Sequence, residues 1–457
     1  MFYTKPNIRT LWLNFTIFWL VFGGAFAYAI VPLFAQEQRM TLLLDAEIDD
    51  YINTLAKPVF KAAGLSPENV HVLILNSPQI NAFVNSQHAL FMMSGLILEA
   101  KNSNEVLGVI AHEIGHLKGH HILRLNENQA GLNLSTLIGG ILGLGAIAAG
   151  SPQAGSAILV GSQAAGISSF LRFSRSQEQQ ADQIAVNLLN ELDYSTEGLQ
   201  QFFSRLSVQN QMFHQSPPEY LLTHPKPSGR ENFLEKNVTK PFTPSPRDQQ
   251  KFKRVQAKIM ALTHSPAQTR RKLFNEEDGF ADYARAIAFY RSGLFKEAKM
   301  SLKLTRDKLN LEDDPYIDEL NGHIALDQGE TKKAEAFFAK AIDASPKSTL
   351  IRYHYGRTLR INQDYHKAIA QLGRVIQRHN TWWMPHEQIG LAYGKLGGVV
   401  QSRIHLAQAA LYQGNYQDAK FHLDFAQKEL AKNAADEQNQ YIQTINLLKL
   451  ELEKLQN

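Results

Sequence analysis

The residues with the clearest chemical potential sit in one short run, Ala111-His112-Glu113-Ile114-Gly115-His116. Side chains four residues apart on an α-helix leave the same face one turn apart, so His112 and His116 can present both imidazoles to one tetrahedral metal ion. Glu113 lies beside the first histidine but is offset around the helix, where a carboxylate can take a proton from water without binding the metal itself. The plain alternative is a solvated helix with incidental histidines. That reading is disfavoured because the helix is strongly apolar, and burying such groups without partners costs about 1–3 kcal/mol each.

The pattern is the His-Glu-x-x-His arrangement of zinc hydrolases, and it needs elements to position it. Val106, Val109, Ile110, Ile114 and Leu117 recur at helical spacing, and Asn102 with Glu105 makes a cap and capping box, so the run predicts a helix entering the core. Upstream, the apolar period from Met40 through Leu55 predicts another helix, Ser66-Pro67-Glu68-Asn69 a turn, and Val70 to Leu75 a strand. Residues 80 to 97 predict two strands around a polar turn. A strand edge beside a metal site offers unpaired backbone groups to an extended peptide, which makes Asn81 a candidate substrate-binding residue; an ordinary hairpin is the equal alternative.

A chain of 457 residues, 44% hydrophobic, can build two or three cores. Forty-seven basic residues against 43 acidic give a net charge of only +4, which is no footprint for nucleic acid. With no cysteine, there is no disulfide, no thiolate metal site and no cysteine nucleophile, so a metal must be held by nitrogen and oxygen. Lys5 and Arg9 followed by an uncharged apolar stretch to Gln36 predict a signal peptide over residues 1–35, with an uncleaved anchor as the alternative. An exported chain of a bacterial envelope would work in the periplasm. The charge-free tract from 130 to 171 predicts a buried or membrane-touching helical hairpin and is a candidate for peripheral membrane contact.

Beyond it, Arg175, Glu178 and Asp182 fall on one face of an amphipathic helix. A His-Glu-x-x-His helix followed by this Glu-x-x-x-Asp helix resembles the M48 family of zinc metallopeptidases. The resemblance implies one Zn²⁺ per chain held by His112, His116 and Glu178, Glu113 as the catalytic base, and Asp182 as the partner of a ligand histidine, consistent with sites that keep an open fourth position. Other third ligands fit worse: Ile122 stands where a metzincin-type histidine belongs, and His120 is roughly 12 Å along the helix from His112. His121 matches a histidine often found after the M48 motif, but the sequence assigns it no chemistry. Thr223-His224-Pro225 leading to Arg230 also resembles the family, in which such a loop lies over the active site. His224 then either stabilises the oxyanion or occupies the fourth metal position and keeps the enzyme latent, and Arg230 is a candidate substrate or transition-state contact.

Prolines from 217 to 246 mark the end of a peptidase domain spanning 37–262, with a basic helical connector from Asp248 to Arg271. From 275 to 457 the chain repeats. Gly322, Gly356 and Gly390 follow at intervals of 34 residues, as do Ala334 and Ala368, the period of a tetratricopeptide array. About four helix pairs are expected, loosening after Gly390 where Gly397-Gly398 stands in place of a clean second helix, then a capping helix from Asp436 to Leu455. The fold class is thus mainly α with a small β-sheet: a zincin-like α+β metallopeptidase domain followed by a tetratricopeptide α-solenoid.

That combination resembles the periplasmic M48 branch that serves outer-membrane protein assembly, although members of the branch can carry a disulfide, which this chain cannot form. It implies a zinc endopeptidase with a chaperone-like role, degrading misfolded or stalled envelope proteins. Its partners would be unfolded or misassembled outer-membrane proteins and the assembly machinery, met through the repeat groove. The rival is a repeat-based chaperone with a latent zinc site; a third reading is an integral membrane peptidase like the prenyl-protein-processing branch of M48.

Overall fold

The computed structural model describes residues 41–66, 70–85, 89–121, 173–212, 219–225, 229–431 and 438–456. Its N-terminal part holds four strands, β1 (Thr41–Leu42), β2 (His71–Asn76), β3 (Ala82–Val84) and β4 (Ala89–Met93), in the order β1-β2-β4-β3. β2 and β4 run parallel, from His71 opposite Ala89 to Leu75 opposite Met93, while the outer strands are antiparallel to their neighbours. β3 is therefore an edge. The helix expected from Met40 begins only at α1 (Ala46–Ala62), because Thr41 and Leu42 pair with β2 and the Asp45 side chain accepts the N–H groups of Glu47 and Ile48 as a cap. Ser94 to Ile97, expected in a strand, belong instead to α2 (Ser94–Glu99): the Ser94 hydroxyl and the Gly95 N–H both turn back to the Ser77 carbonyl and end the strand.

The metal-motif helix is α3 (Ser103–Lys118), buried continuously from Ser103 to His116. Asn102 caps it by accepting the Glu105 N–H. The expected return bond of a capping box is absent: the Glu105 carboxylate accepts the Lys101 N–H and a forked pair from Arg205 of α5 (Glu197–Met212). Two glycines let α3 lie against two helices at once. A Cβ at Gly108 would stand 2.7 Å from the Leu199 Cα on α5, and one at Gly115 would stand 2.5 Å from the Ala181 carbonyl on α4 (Arg175–Glu191). The short helices α6 (Glu219–Thr223) and α7 (Arg230–Lys236) complete the surroundings.

α8 (Pro246–Thr263) begins the expected connector, and α9 (Pro266–Lys272) follows. α8 is no mere linker. Phe252, Val255 and Ile259 join the core formed by α1, the sheet and α3, whereas Ala257 and Ala261 join a second core with Tyr283, Ala284 and Ile287.

Ten helices follow: α10 (Gly279–Arg291), α11 (Phe295–Leu309), α12 (Pro315–Asp327), α13 (Thr331–Ala344), α14 (Thr349–Ile361), α15 (Tyr365–Ile376), α16 (Trp383–Lys395), α17 (Val399–Tyr412), α18 (Tyr416–Leu430) and α19 (Gln438–Gln456). They stack as helix pairs, and the sequence period acquires its physical cause. At Gly322, Gly356 and Gly390 an added Cβ would meet Phe338, Leu372 and Leu406 at 2.9, 2.7 and 2.9 Å, so each glycine receives the large side chain of the next helix. Gly397-Gly398 does not interrupt the array as expected. Gly397 takes φ +80°, which only glycine adopts cheaply, and forms the turn before an intact α17.

The fold is mainly α with a small mixed sheet, followed by a tetratricopeptide-type solenoid. The segment of 1–35 expected to be a signal peptide and the apolar tract of 130–171 lie outside the described residues. Among the described residues no helix is long and apolar enough to cross a membrane.

Candidate metal centre

The close approach at Gly115 sets α3 and α4 side by side and brings His112, His116 and Glu178 together. His112 Nε2 and His116 Nε2 lie 3.1 Å apart, and each is 3.3 Å from a Glu178 carboxylate oxygen. His224, at the end of α6, places Nδ1 3.0 Å from Glu178 Oε1. Donor atoms of all four residues lie within 4.8 Å of one another, and all four residues are buried. A tetrahedral ion with ligands at about 2.0–2.1 Å has edges of about 3.3 Å, so the first three groups have the spacing such an ion requires.

The outer nitrogens fix which form the imidazoles take. His112 Nδ1 lies 2.9 Å from Asp182 Oδ1, one turn beyond Glu178 on α4, and so donates to it. His121, to which the sequence assigned no chemistry, holds His116 in the same way. Its Nε2 is 2.9 Å from Gln180 Oε1, an acceptor, which leaves its Nδ1 to accept from His116 Nδ1 at 3.0 Å. Both Nε2 atoms then face each other and the Glu178 carboxylate, an arrangement that calls for a cation among them, either a proton on His112 or a metal ion in its place. The donors therefore fit a metal of the borderline class, for which two imidazoles and a carboxylate are the usual ligands.

The electrostatics run the same way. Burial pushes Glu178 up, but His224, His116 and His112 outweigh it and hold the carboxyl well below its usual range. Burial opposes charge on His112 too, yet hydrogen bonds to Asp182 and Glu178 raise it to about 9. His116 is driven well below its ordinary value, chiefly by burial. Burial raises Glu113, and its Oε2 has no hydrogen-bond partner among the described residues.

Glu113 Oε1 accepts the Tyr220 hydroxyl at 2.9 Å, and the Tyr220 ring stacks on His224 with centroids 4.3 Å apart. Tyr220 is a contact that sequence reasoning missed; its proximity to the Thr-His-Pro loop was the only signal. Arg230 faces inward: Nη2 donates to Asp182 Oδ1 at 2.7 Å, Nη1 lies 3.5 Å from Glu178, and the guanidinium sits 3.6 Å over the Phe203 ring. Its two Nη groups thus face the site's own carboxylates, while its buried Nε has no partner among the described residues. Asn81, also buried, has Oδ1 accepting from Ala82 N–H and the Thr223 hydroxyl, while its Nδ2 has no partner among the described residues. The Tyr220 N–H donates to the Ile80 carbonyl, so the loop carrying His224 is tied to the segment leading into the edge strand.

A buried His-Glu-x-x-His helix crossed by a second helix that supplies a carboxylate defines a metallopeptidase domain. Residues 43–238 match peptidase family M48. The chain is 29% identical over 270 residues to a β-barrel assembly-enhancing protease of Yersinia pestis, a match covering 57% of this chain and 55% of that protein. It is 32% identical over 189 residues to the protein of the same name from Escherichia coli (strain K12), covering 41% of this chain and 38% of the relative. A mitochondrial metalloendopeptidase, OMA1 of Bos taurus, is 26% identical over 179 residues, 38% of this chain and 34% of that one. The chain thus spans about half, or less, of the length of these relatives.

Proposed function

We propose that the protein is a zinc-dependent endopeptidase in which His112, His116 and Glu178 hold the metal and Glu113 is the general base. The observation that carries this reading is the convergence of two imidazole Nε2 atoms and one carboxylate at 3.1–3.3 Å beside a glutamate with an unpartnered oxygen. Zinc bound there supplies a Lewis acid that polarises the scissile carbonyl and lowers the pKa of water toward about 7. Glu113 accepts the proton of the attacking water on Oε2 and returns it to the leaving amine nitrogen, while the Tyr220 hydroxyl on Oε1 keeps the carboxylate oriented. Burial of Glu113 raises its proton affinity toward that needed of a base near neutral pH. Asp182 and His121 hold the ligand imidazoles in the metal-binding form.

His224, with Nδ1 3.0 Å from Glu178 Oε1, supports a second reading in which it closes the fourth position and keeps the site latent. The names of the relatives and the repeat array suggest the setting: a periplasmic peptidase with a chaperone-like role in outer-membrane assembly, acting on misfolded or stalled envelope proteins that the repeat groove engages. The test is zinc content and casein cleavage measured side by side on wild type, Glu113→Gln and His224→Ala. The expected result is undiminished zinc at the site with cleavage lost in Glu113→Gln; cleavage retained in that variant overturns the assignment. Raised cleavage in His224→Ala supports latency, whereas unchanged cleavage and unchanged metal affinity remove it.

A further inference from the structure

A second group of potential ligands lies in the repeat half, away from the peptidase centre. Glu319 and His323 are four residues apart on α12 and share a face, and His354 comes from α14, the first helix of the next repeat. One ligand atom of each lies within 4.8 Å of the others. These groups converge without satisfying one another. His323 Nε2 is 3.7 Å from Glu319 Oε1, too far for a hydrogen bond, and His354 Nδ1 is buried with no partner among the described residues. The two imidazoles meet edge to face at a centroid distance of 4.4 Å, and the Phe338 ring, 5.1 Å from His323 and 5.9 Å from His354, forms an apolar wall beside them.

The charge around the cluster favours a cation. Glu319 turns Oε2 toward Lys258 at 3.8 Å, but Lys258 is engaged more closely by Asp45 at 2.9 Å and also by Glu47. Asp314 and Asp50 stand in the same junction, Asp314 on Arg254 and Asp50 accepting the Tyr316 hydroxyl. The five carboxylates there, Glu319, Asp45, Glu47, Asp50 and Asp314, outnumber the cations Lys258, Arg254 and Arg357, although Lys258 and Arg357 both act on His354. The His323 side chain is 23% exposed, which gives the cluster a route to solvent and leaves one member able to swing inward to shorten the 4.8 Å spread.

We propose that Glu319, His323 and His354 form a second site for a borderline divalent cation such as Zn²⁺, bridging two consecutive repeats beside α8. Two imidazoles and one carboxylate select this class over Mg²⁺ or Ca²⁺, which prefer all-oxygen ligands. The proposal is independent of the peptidase reading, because the two ligand sets share no residue.

The test is zinc stoichiometry by equilibrium dialysis of the chelator-stripped full chain, with far-UV circular dichroism verifying that each variant is folded. Wild type should take up two equivalents. His323→Asn and His354→Asn should each take up one and keep casein cleavage, whereas His116→Ala should take up one and lose it. The second equivalent should raise the Tm of wild type but not of folded His354→Asn. One equivalent in wild type, abolished by His116→Ala, would overturn the proposal, as would a second equivalent that survives both His323→Asn and His354→Asn.

Discussion

Arg230 shows how much of the centre's charge balance comes from outside the motif. It is buried against Asp182 and Glu178 and stacked over Phe203, so it neutralises two carboxylates that sit in a nearly water-free environment. Removing one partner of a buried ionic group leaves the other uncompensated, at a cost of about 3–5 kcal/mol. Arg230→Ala should therefore destabilise the zinc-free protein by about that much in urea unfolding, with zinc restoring part of the loss by neutralising Glu178. An effect under about 1 kcal/mol would show that the pair is not the charge anchor described here. At this scale the sequence was informative where chemistry follows local spacing. His112, Glu113 and His116 are set by one helical turn, and Glu178 and Asp182 by another, so their pattern is readable before any fold is known. His121 and Tyr220 were opaque because their roles come from tertiary contact: His121 is defined by Gln180 on another helix, and Tyr220 reaches Glu113 across 107 residues of sequence.

The elements that hold these residues depend on the smallest side chain in the motif. Gly115 lies between the two histidines, where α4 passes so near that an added Cβ would be 2.5 Å from the Ala181 carbonyl and 2.9 Å from its Cα. Backbone cannot rotate aside as a side chain can, so Gly115→Ala must push α4 away from α3. The expected outcome is a stability loss of about 1–3 kcal/mol from overpacking and zinc affinity reduced roughly tenfold or more, as Glu178 moves off the two imidazoles. Competition against a chelator of known affinity measures the second effect, and wild-type affinity would show that α4 can yield without moving Glu178. A glycine inside a helical pattern reads from sequence as a mild weakness, so neither this contact nor the one at Gly108 was legible. The repeat glycines were, because the same requirement recurs at a fixed interval. The β4-to-α2 boundary was missed for the opposite reason: the apolar residues on either side of Ser94-Gly95 suit strand and helix equally, and the Ser77–Ser94 contact that decides between them is not local.

Across the whole molecule, the peptidase and repeat halves meet through polar groups as well as apolar ones. His379, just after α15, lies against His71 of β2 with ring centroids 5.0 Å apart, and burial, with His71 and Arg378 nearby, lowers it to about 4. An unfolded histidine titrates near 6.5. Below that pH the unfolded chain takes up a proton that folded His379 refuses, so its contribution is present at neutral pH and is lost as pH falls from about 6.5 toward 4. The Tm of wild type relative to His379→Gln should therefore drop over this range, and a constant difference would dismiss the effect. Sequence composition showed two architectures but not their junction, because α8 reads as a basic connector while its two apolar stripes serve separate cores. Buried Glu47 of α1 accepts from Arg254 of α8, 207 residues later, and from the Tyr283 hydroxyl, 236 residues later; Arg254 in turn grips Asp314. This network imposes an order on biogenesis. A chain emerging from its N-terminus can close the sheet and the metal centre early, but the first turn of α1 keeps an unmatched charge until α8 has appeared, so an intermediate truncated before residue 254 should remain loose at α1 and be the species most exposed to proteolysis.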